Sequence, residues 1–167
     1  GITMVKKKIC MLGSFAVGKT SLIQKFVTGI FSEKYFTTIG VKIDKKTVVT
    51  DGNQVELLLW DIYGEDKFQK VESSYLRGSS GYLLVIDGTR KETLDVALQL
   101  KERVEESIGN IPFIVIINKN DLKDDWEIDL DSVRKLFVDK AIVIESSAKT
   151  GENVEKVFEI IAKKVLE

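Results

Sequence analysis

The stretch Gly13-Ser14-Phe15-Ala16-Val17-Gly18-Lys19-Thr20 constrains this chain more than any other. It spells G-x-x-x-x-G-K-[ST]. It falls between a compact apolar run, Lys6 to Leu12, and a segment from Thr20 to Val27 whose apolar residues Leu22, Ile23, Phe26 and Val27 recur at helical spacing until Gly29 stops the pattern. Strand, glycine loop and helix in that order bring successive backbone N–H groups and the positive end of a helix dipole to one place, which makes an anion cradle. Gly13, Ser14, Phe15, Ala16, Val17 and Gly18, with Ser21 one step into the helix, are the candidate phosphate contacts. Lys19 is placed to reach the β- and γ-phosphate oxygens, and the Thr20 hydroxyl to coordinate Mg²⁺. An ordinary glycine turn is the alternative, and the flanking strand and helix disfavour it.

The rest of the chain alternates strands with helices. Val41, Ile43, Thr47, Val48 and Val49 suggest a second strand, Asp51-Gly52-Asn53 a turn, and Val55 to Trp60 a third strand, so an antiparallel hairpin is expected. Gly64 to Tyr75 is charged and weakly periodic, as in a loop with a short helix. Continuous apolar runs at Tyr82–Ile86, Phe113–Ile117 and Ala141–Ile144 read as buried strands. Leu94 to Ile108, Asp131 to Phe137 and Val154 to Leu166 read as helices. Strands too apolar to face water on either side predict an α/β fold: a mostly parallel six-stranded sheet with one antiparallel edge strand and helices on both faces.

At 167 residues, 44% of them apolar, the chain accommodates one domain, taken as 4–167 with Gly1-Ile2-Thr3 set aside as an extraneous leader. A formal net charge of -1 excludes a broad basic field for nucleic acid, and Lys6 to Lys8 read as a solvated strand entry. Cys10, the single cysteine, cannot form an internal disulfide and suits packing on a strand in a reducing cytosol, so a cytoplasmic location is expected. No apolar run approaches the roughly 18 residues of a membrane span, and Lys163 to Glu167 offers no cysteine for a lipid anchor.

Three more polar motifs follow strands. Asp61-Ile62-Tyr63-Gly64 closes the third strand: Asp61 can hold a Mg²⁺ shell through water, and Gly64 can bring its N–H to a terminal phosphate. Asn118-Lys119-Asn120-Asp121 follows the Phe113–Ile117 run. One aspartate carboxylate accepts both N1–H and N2–H of guanine, whereas adenine presents an acceptor at N1 that would leave Asp121 unsatisfied. Lys119 can lay its stem along the base, Asn118 can tie this loop to the phosphate loop, and Leu122 adjoins them. Ser147-Ala148-Lys149 after the last strand can offer a backbone N–H to the guanine oxygen. In an open α/β sheet the carboxyl ends of parallel strands share one edge, where ligands bind. Independent polar turns have no reason to converge there.

From about Val5 to Leu166 the chain resembles the Ras superfamily of small GTPases, with the Rab branch most similar. The resemblance rests on Thr38-Ile39-Gly40-Val41, Trp60 to Phe68, Tyr75-Leu76-Arg77-Gly78 and Glu145-Ser146-Ser147-Ala148-Lys149. It implies a monomeric switch that binds GTP or GDP with Mg²⁺ and hydrolyses GTP, with Lys19, Thr38, Gly64 and Glu65 at the reacting end. It also implies that Thr38 in switch I is a second metal-binding hydroxyl, that Phe31 packs on guanine, that Tyr35 covers the phosphates, and that Gly64 to Tyr75 is switch II. Release of the γ-phosphate would free both loops, which effector, exchange-factor and activating proteins read.

Three residues depart from the family pattern. Glu65 stands where a glutamine usually orients the attacking water; a carboxylate only accepts hydrogen bonds and brings charge toward the γ-phosphate. Phe15 replaces a small residue in the space an arginine finger uses, and Tyr63 replaces a small residue beside Gly64. Slow hydrolysis is the expectation. The alternative is a nucleotide-holding interaction module with little or no turnover. A P-loop ATPase or kinase is disfavoured by Asn118 to Asp121. The absence of histidine is no obstacle, because phosphoryl transfer to water depends mainly on positioning.

Overall fold

The computed structural model describes residues 4–31, 40–63, 71–137 and 141–167. Strand β1 (Met4–Leu12) leads through the glycine loop into helix α1 (Lys19–Thr28). Strands β2 (Gly40–Thr50) and β3 (Asn53–Tyr63) form the expected antiparallel hairpin, with unbroken pairing from Thr50↔Asn53 to Gly40↔Tyr63. Asp51 and Gly52 both take positive φ, 50° and 78°, at the turn. A short helix α2 (Ser73–Leu76) precedes strand β4 (Gly81–Asp87) and the long helix α3 (Glu92–Ile108). Strand β5 (Phe113–Asn118), helix α4 (Leu130–Leu136), strand β6 (Ile142–Glu145) and helix α5 (Val154–Lys164) complete the order.

The six strands form one sheet in the order β2-β3-β1-β4-β5-β6, and every neighbouring pair except β2/β3 is parallel. Alternate residues of the central strands point to opposite faces, and this period of two divides the core into two layers. Ile9, Met11, Leu57, Leu59, Leu83, Val85, Ile114 and Ile116 pack against α1 and α5, where Phe26 and Phe158 stack at 4.0 Å. Cys10, Leu12, Leu84, Ile86, Val115 and Ile117 pack on the other side against α2, α3 and α4. Burial on both faces explains the unbroken apolar runs seen in the sequence.

Three details differ from expectation. β3 continues past Trp60 to Tyr63 because β2 still pairs with it there, so Asp61 sits inside the strand rather than beyond its end. The last strand begins at Ile142. A 3-10 segment over Asn120–Asp125 has no apolar period to announce it; it is held by Leu122 N–H on the Lys119 carbonyl at 2.9 Å.

Candidate functional site

The phosphate-type loop is shaped from outside. Gly18 caps α1 at φ 103°, and a Cβ there would lie 2.2 Å from Asn118 Nδ2, so only glycine fits both the dihedral and the approach. Successive carbonyls are gripped by side chains from other strand ends. Arg90 Nη2 donates to Phe15 O at 2.6 Å, Lys119 Nζ to Ala16 O at 3.1 Å and Asn118 Nδ2 to Val17 O at 3.0 Å. In a trans peptide the N–H points opposite the preceding carbonyl. Holding these three oxygens outward therefore turns the N–H groups of Ala16, Val17 and Gly18 toward the concave side. There Val17 N–H makes a long 3.4 Å contact with Ser14 O. Lys19 Nζ bonds Gly13 O at 2.8 Å across the loop's mouth.

Beside the loop, Thr20 Oγ1 donates to Asp61 Oδ2 at 2.6 Å, which ties the start of α1 to β3. Asp61 is 1% exposed, and among the described residues its Oδ1 has no hydrogen-bond partner; Ser14 Oγ in the loop is likewise buried and unpartnered. Burial pushes the Asp61 carboxyl above its ordinary pKa, against the opposing pull of Lys19 and the Thr20 hydroxyl. A hydroxyl and a carboxylate with one buried oxygen uncommitted are hard oxygen donors, a set that suits Mg²⁺.

A cavity of about 240 Å³ opens next to the loop. Its wall combines Ala16, Gly18 and Ser21 from the phosphate side with Phe31, and Asn118, Lys119, Asp121 and Leu122 with Ala148 and Lys149 from the far side. Asp121 Oδ1 accepts from Ser147 Oγ at 2.7 Å. Asn118, 1% exposed, uses its amide nitrogen on Val17 and its oxygen on Ser146 Oγ and Ala148 N–H, both at 3.2 Å. It thereby joins three strand ends. Lys119 takes a left-handed φ of 74°, stabilised by the Trp126 indole N–H on its carbonyl at 2.8 Å. All the residues lining this cavity were nominated from the sequence. Tyr35, Thr38, Gly64 and Glu65 lie outside the described residues, as does the side chain of Tyr63.

Sequence reasoning missed the end of β4. Asp87 is fully buried: Oδ1 accepts from the Thr89 N–H and hydroxyl at 2.9 and 2.7 Å, and Oδ2 from Lys119 Nζ at 2.6 Å and Arg90 Nε at 3.0 Å. Burial alone would raise its pKa; the four hydrogen bonds outweigh that and hold it below the ordinary value. The available signal was an aspartate directly after an apolar run, as at Asp61. Trp126 packs against Gly88, where a Cβ would come within 2.1 Å of the ring.

A family model described as the Ras family matches residues 8–167. The chain is 36% identical over 168 residues to the Ras-related protein RabJ of Dictyostelium discoideum, covering 97% of this chain and 64% of that protein. It is 36% identical over 163 residues to the GTP-binding protein YPT1 of Saccharomyces cerevisiae, covering 96% and 79%. With the Ras-related protein Rab-8B of Pongo abelii it shares 30% over 161 residues, covering 95% and 78%. The chain thus spans just under two thirds of RabJ and more than three quarters of the other two.

Proposed function

The chain belongs to the Ras family, and on that footing we propose that it is a Rab-like, GTP-binding molecular switch with GTP phosphohydrolase activity. The observation that carries this reading is the meeting of the carbonyl-braced loop, the Thr20–Asp61 pair and the Asp121 cavity along one sheet edge. The loop's N–H groups and Lys19 bind the phosphates. Asp121, oriented by Ser147, accepts from the guanine edge, and Phe31 and the Lys119 stem flank the base. Thr20 and Asp61 would hold Mg²⁺, which supplies charge neutralisation on the phosphates when bound. Thr38 and Gly64 complete the γ-phosphate end, a role that rests on the resemblance alone. Loops that depend on that phosphate for contacts give partner proteins two states to distinguish.

Turnover is slow in this reading, because Glu65 carries charge where a neutral amide would orient water, Phe15 adds bulk within the phosphate loop, and Tyr63 replaces a small residue next to Gly64 in the sequence. A module that holds nucleotide without turnover is the alternative, and the match to the Ras family supports the hydrolysing switch over it. Equilibrium binding of fluorescent GDP, competed by GTP and by ATP, tests the base assignment: GTP displaces it stoichiometrically, and ATP is weaker by about 10⁴-fold because Asp121 would be left unpaired. Comparable displacement by ATP would refute the guanine reading. Single-turnover GTP hydrolysis separates the other two. The Glu65→Gln, Phe15→Gly double variant gains about tenfold in rate, roughly 1.4 kcal/mol of barrier. A complete absence of Mg²⁺-dependent phosphate release in both proteins favours the holding module.

A further inference from the structure

We propose that Asp87 is a positioning residue for the diphosphate: a single buried carboxylate that anchors two cations, Arg90 and Lys119, each of which pulls one carbonyl of the phosphate loop outward. The inference rests on the nucleotide reading above and assigns it a component outside the four sequence motifs. The geometry is specific. Asp87 Oδ1 is consumed by Thr89, which fixes the plane of the carboxylate, so Oδ2 is left facing Arg90 Nε and Lys119 Nζ. Arg90 then reaches Phe15 O through Nη2, and Lys119 reaches Ala16 O.

The turn that carries Asp87 is itself nailed down. Thr93, fully buried on α3, accepts from the Asp87 N–H at 3.0 Å and donates to the Arg90 carbonyl at 2.7 Å, while Gly88 N–H bonds Asn118 O at 3.1 Å. A guanidinium engages two partners with a rigid fork, so fixing Arg90 Nε on Asp87 also aims Nη2 at the loop. Two adjacent peptide planes are thereby set before any ligand arrives, and the N–H groups of Ala16 and Val17 face inward without reorganisation. Preorganised donors bind charge more tightly than donors that must first turn. A fully buried acid whose four acceptor positions are all filled, two of them by cations that lead to the same loop, is more than a turn requires.

The clasp acts on the phosphate loop, so its loss falls on a diphosphate more than on a monophosphate, which engages fewer of the loop's donors. Affinities of GDP and GMP for the Mg²⁺-containing wild type, Arg90→Ala and Asp87→Asn proteins are measured by competition against a fluorescent GDP, with circular dichroism to verify the fold. Removing one charge-assisted hydrogen bond weakens GDP by about tenfold in Arg90→Ala. The loss for GMP is smaller by at least about threefold, a margin outside the error of additive effects. The Arg90→Ala, Asp87→Asn double variant loses no more GDP affinity than Asp87→Asn alone, because Arg90 works through Asp87. Arg90→Lys, which preserves packing and charge but not the fork, must show the same inequality should the alanine variant fail to fold. Unchanged GDP affinity in the Arg90 variants, or equal losses for GDP and GMP, overturns the clasp and leaves the nucleotide reading standing. A folded wild type that binds neither nucleotide overturns both.

Discussion

Asp61 and Asp87 are both aspartates buried near the carboxyl ends of parallel strands, yet they are shifted in opposite directions. The difference lies in their partners: Asp61 has an oxygen without a hydrogen bond among the described residues, whereas Asp87 has four donors. An acid whose folded-state pKa is raised opposes folding at pH above that value, and the penalty fades as pH falls. Asp61→Asn is therefore expected to raise the melting temperature of metal-free protein near neutral pH while abolishing the Mg²⁺ dependence of nucleotide binding. An unchanged Mg²⁺ dependence would remove Asp61 from the proposed metal site. Asp87 has the other sign: its folded pKa is depressed below the ordinary 3.8, so its contribution is complete above that value and is lost as pH falls through the folded pKa. Acid unfolding curves of Asp87→Asn should be flatter than wild type below about pH 4, and parallel curves would contradict the assignment.

At the level of elements, one of the links between the Asn118–Asp121 loop and the β4 turn is a tryptophan packed on a glycine. Gly88→Ala puts a methyl carbon 2.1 to 2.4 Å from three indole atoms of Trp126, so the ring must leave. Overpacking of this kind costs about 1–3 kcal/mol, and the Lys119 carbonyl loses its indole donor. The expected outcome is a red-shifted tryptophan emission together with weaker guanine-nucleotide binding. Emission and affinity both unchanged would mean that the ring is dispensable. The central strands were legible as short unbroken apolar runs, and helices α1, α3 and α5 by a period of 3.6. The phosphate loop, Asp61, Asn118 to Asp121 and Ser147 to Lys149 were legible because each comes directly after an apolar run in the sequence. The Asp87–Arg90 turn was not, since its meaning comes from a bond between Arg90 and Phe15, 75 positions apart in the chain. The 3-10 segment after Lys119 escaped for a related reason, as its anchors are a backbone carbonyl and Trp126 rather than an apolar stripe.

Across the whole molecule, the ends of β1, β3, β4, β5 and β6 contribute to one rim, and the residues there come from positions 13 to 149. A ligand that bridges this rim stabilises the native state against global unfolding rather than one segment of it. At a GDP concentration about a thousand times Kd the gain is about 4 kcal/mol, which for a domain of this size raises the melting temperature by about 10 °C. A calorimetric scan with GDP and Mg²⁺ should show one transition moving upward with ligand concentration; a second, unmoved transition would refute the single-unit picture. The hairpin at the sheet's edge acts at this scale too. Its final rung seats Gly40 opposite Tyr63, on a ribbon whose strands are 11 residues long and paired throughout. Neither strand can slide without tearing the rungs behind it, so tension applied at one of those two residues is delivered to the other, and the ribbon behaves as a yoke rather than as a pair of independent reins.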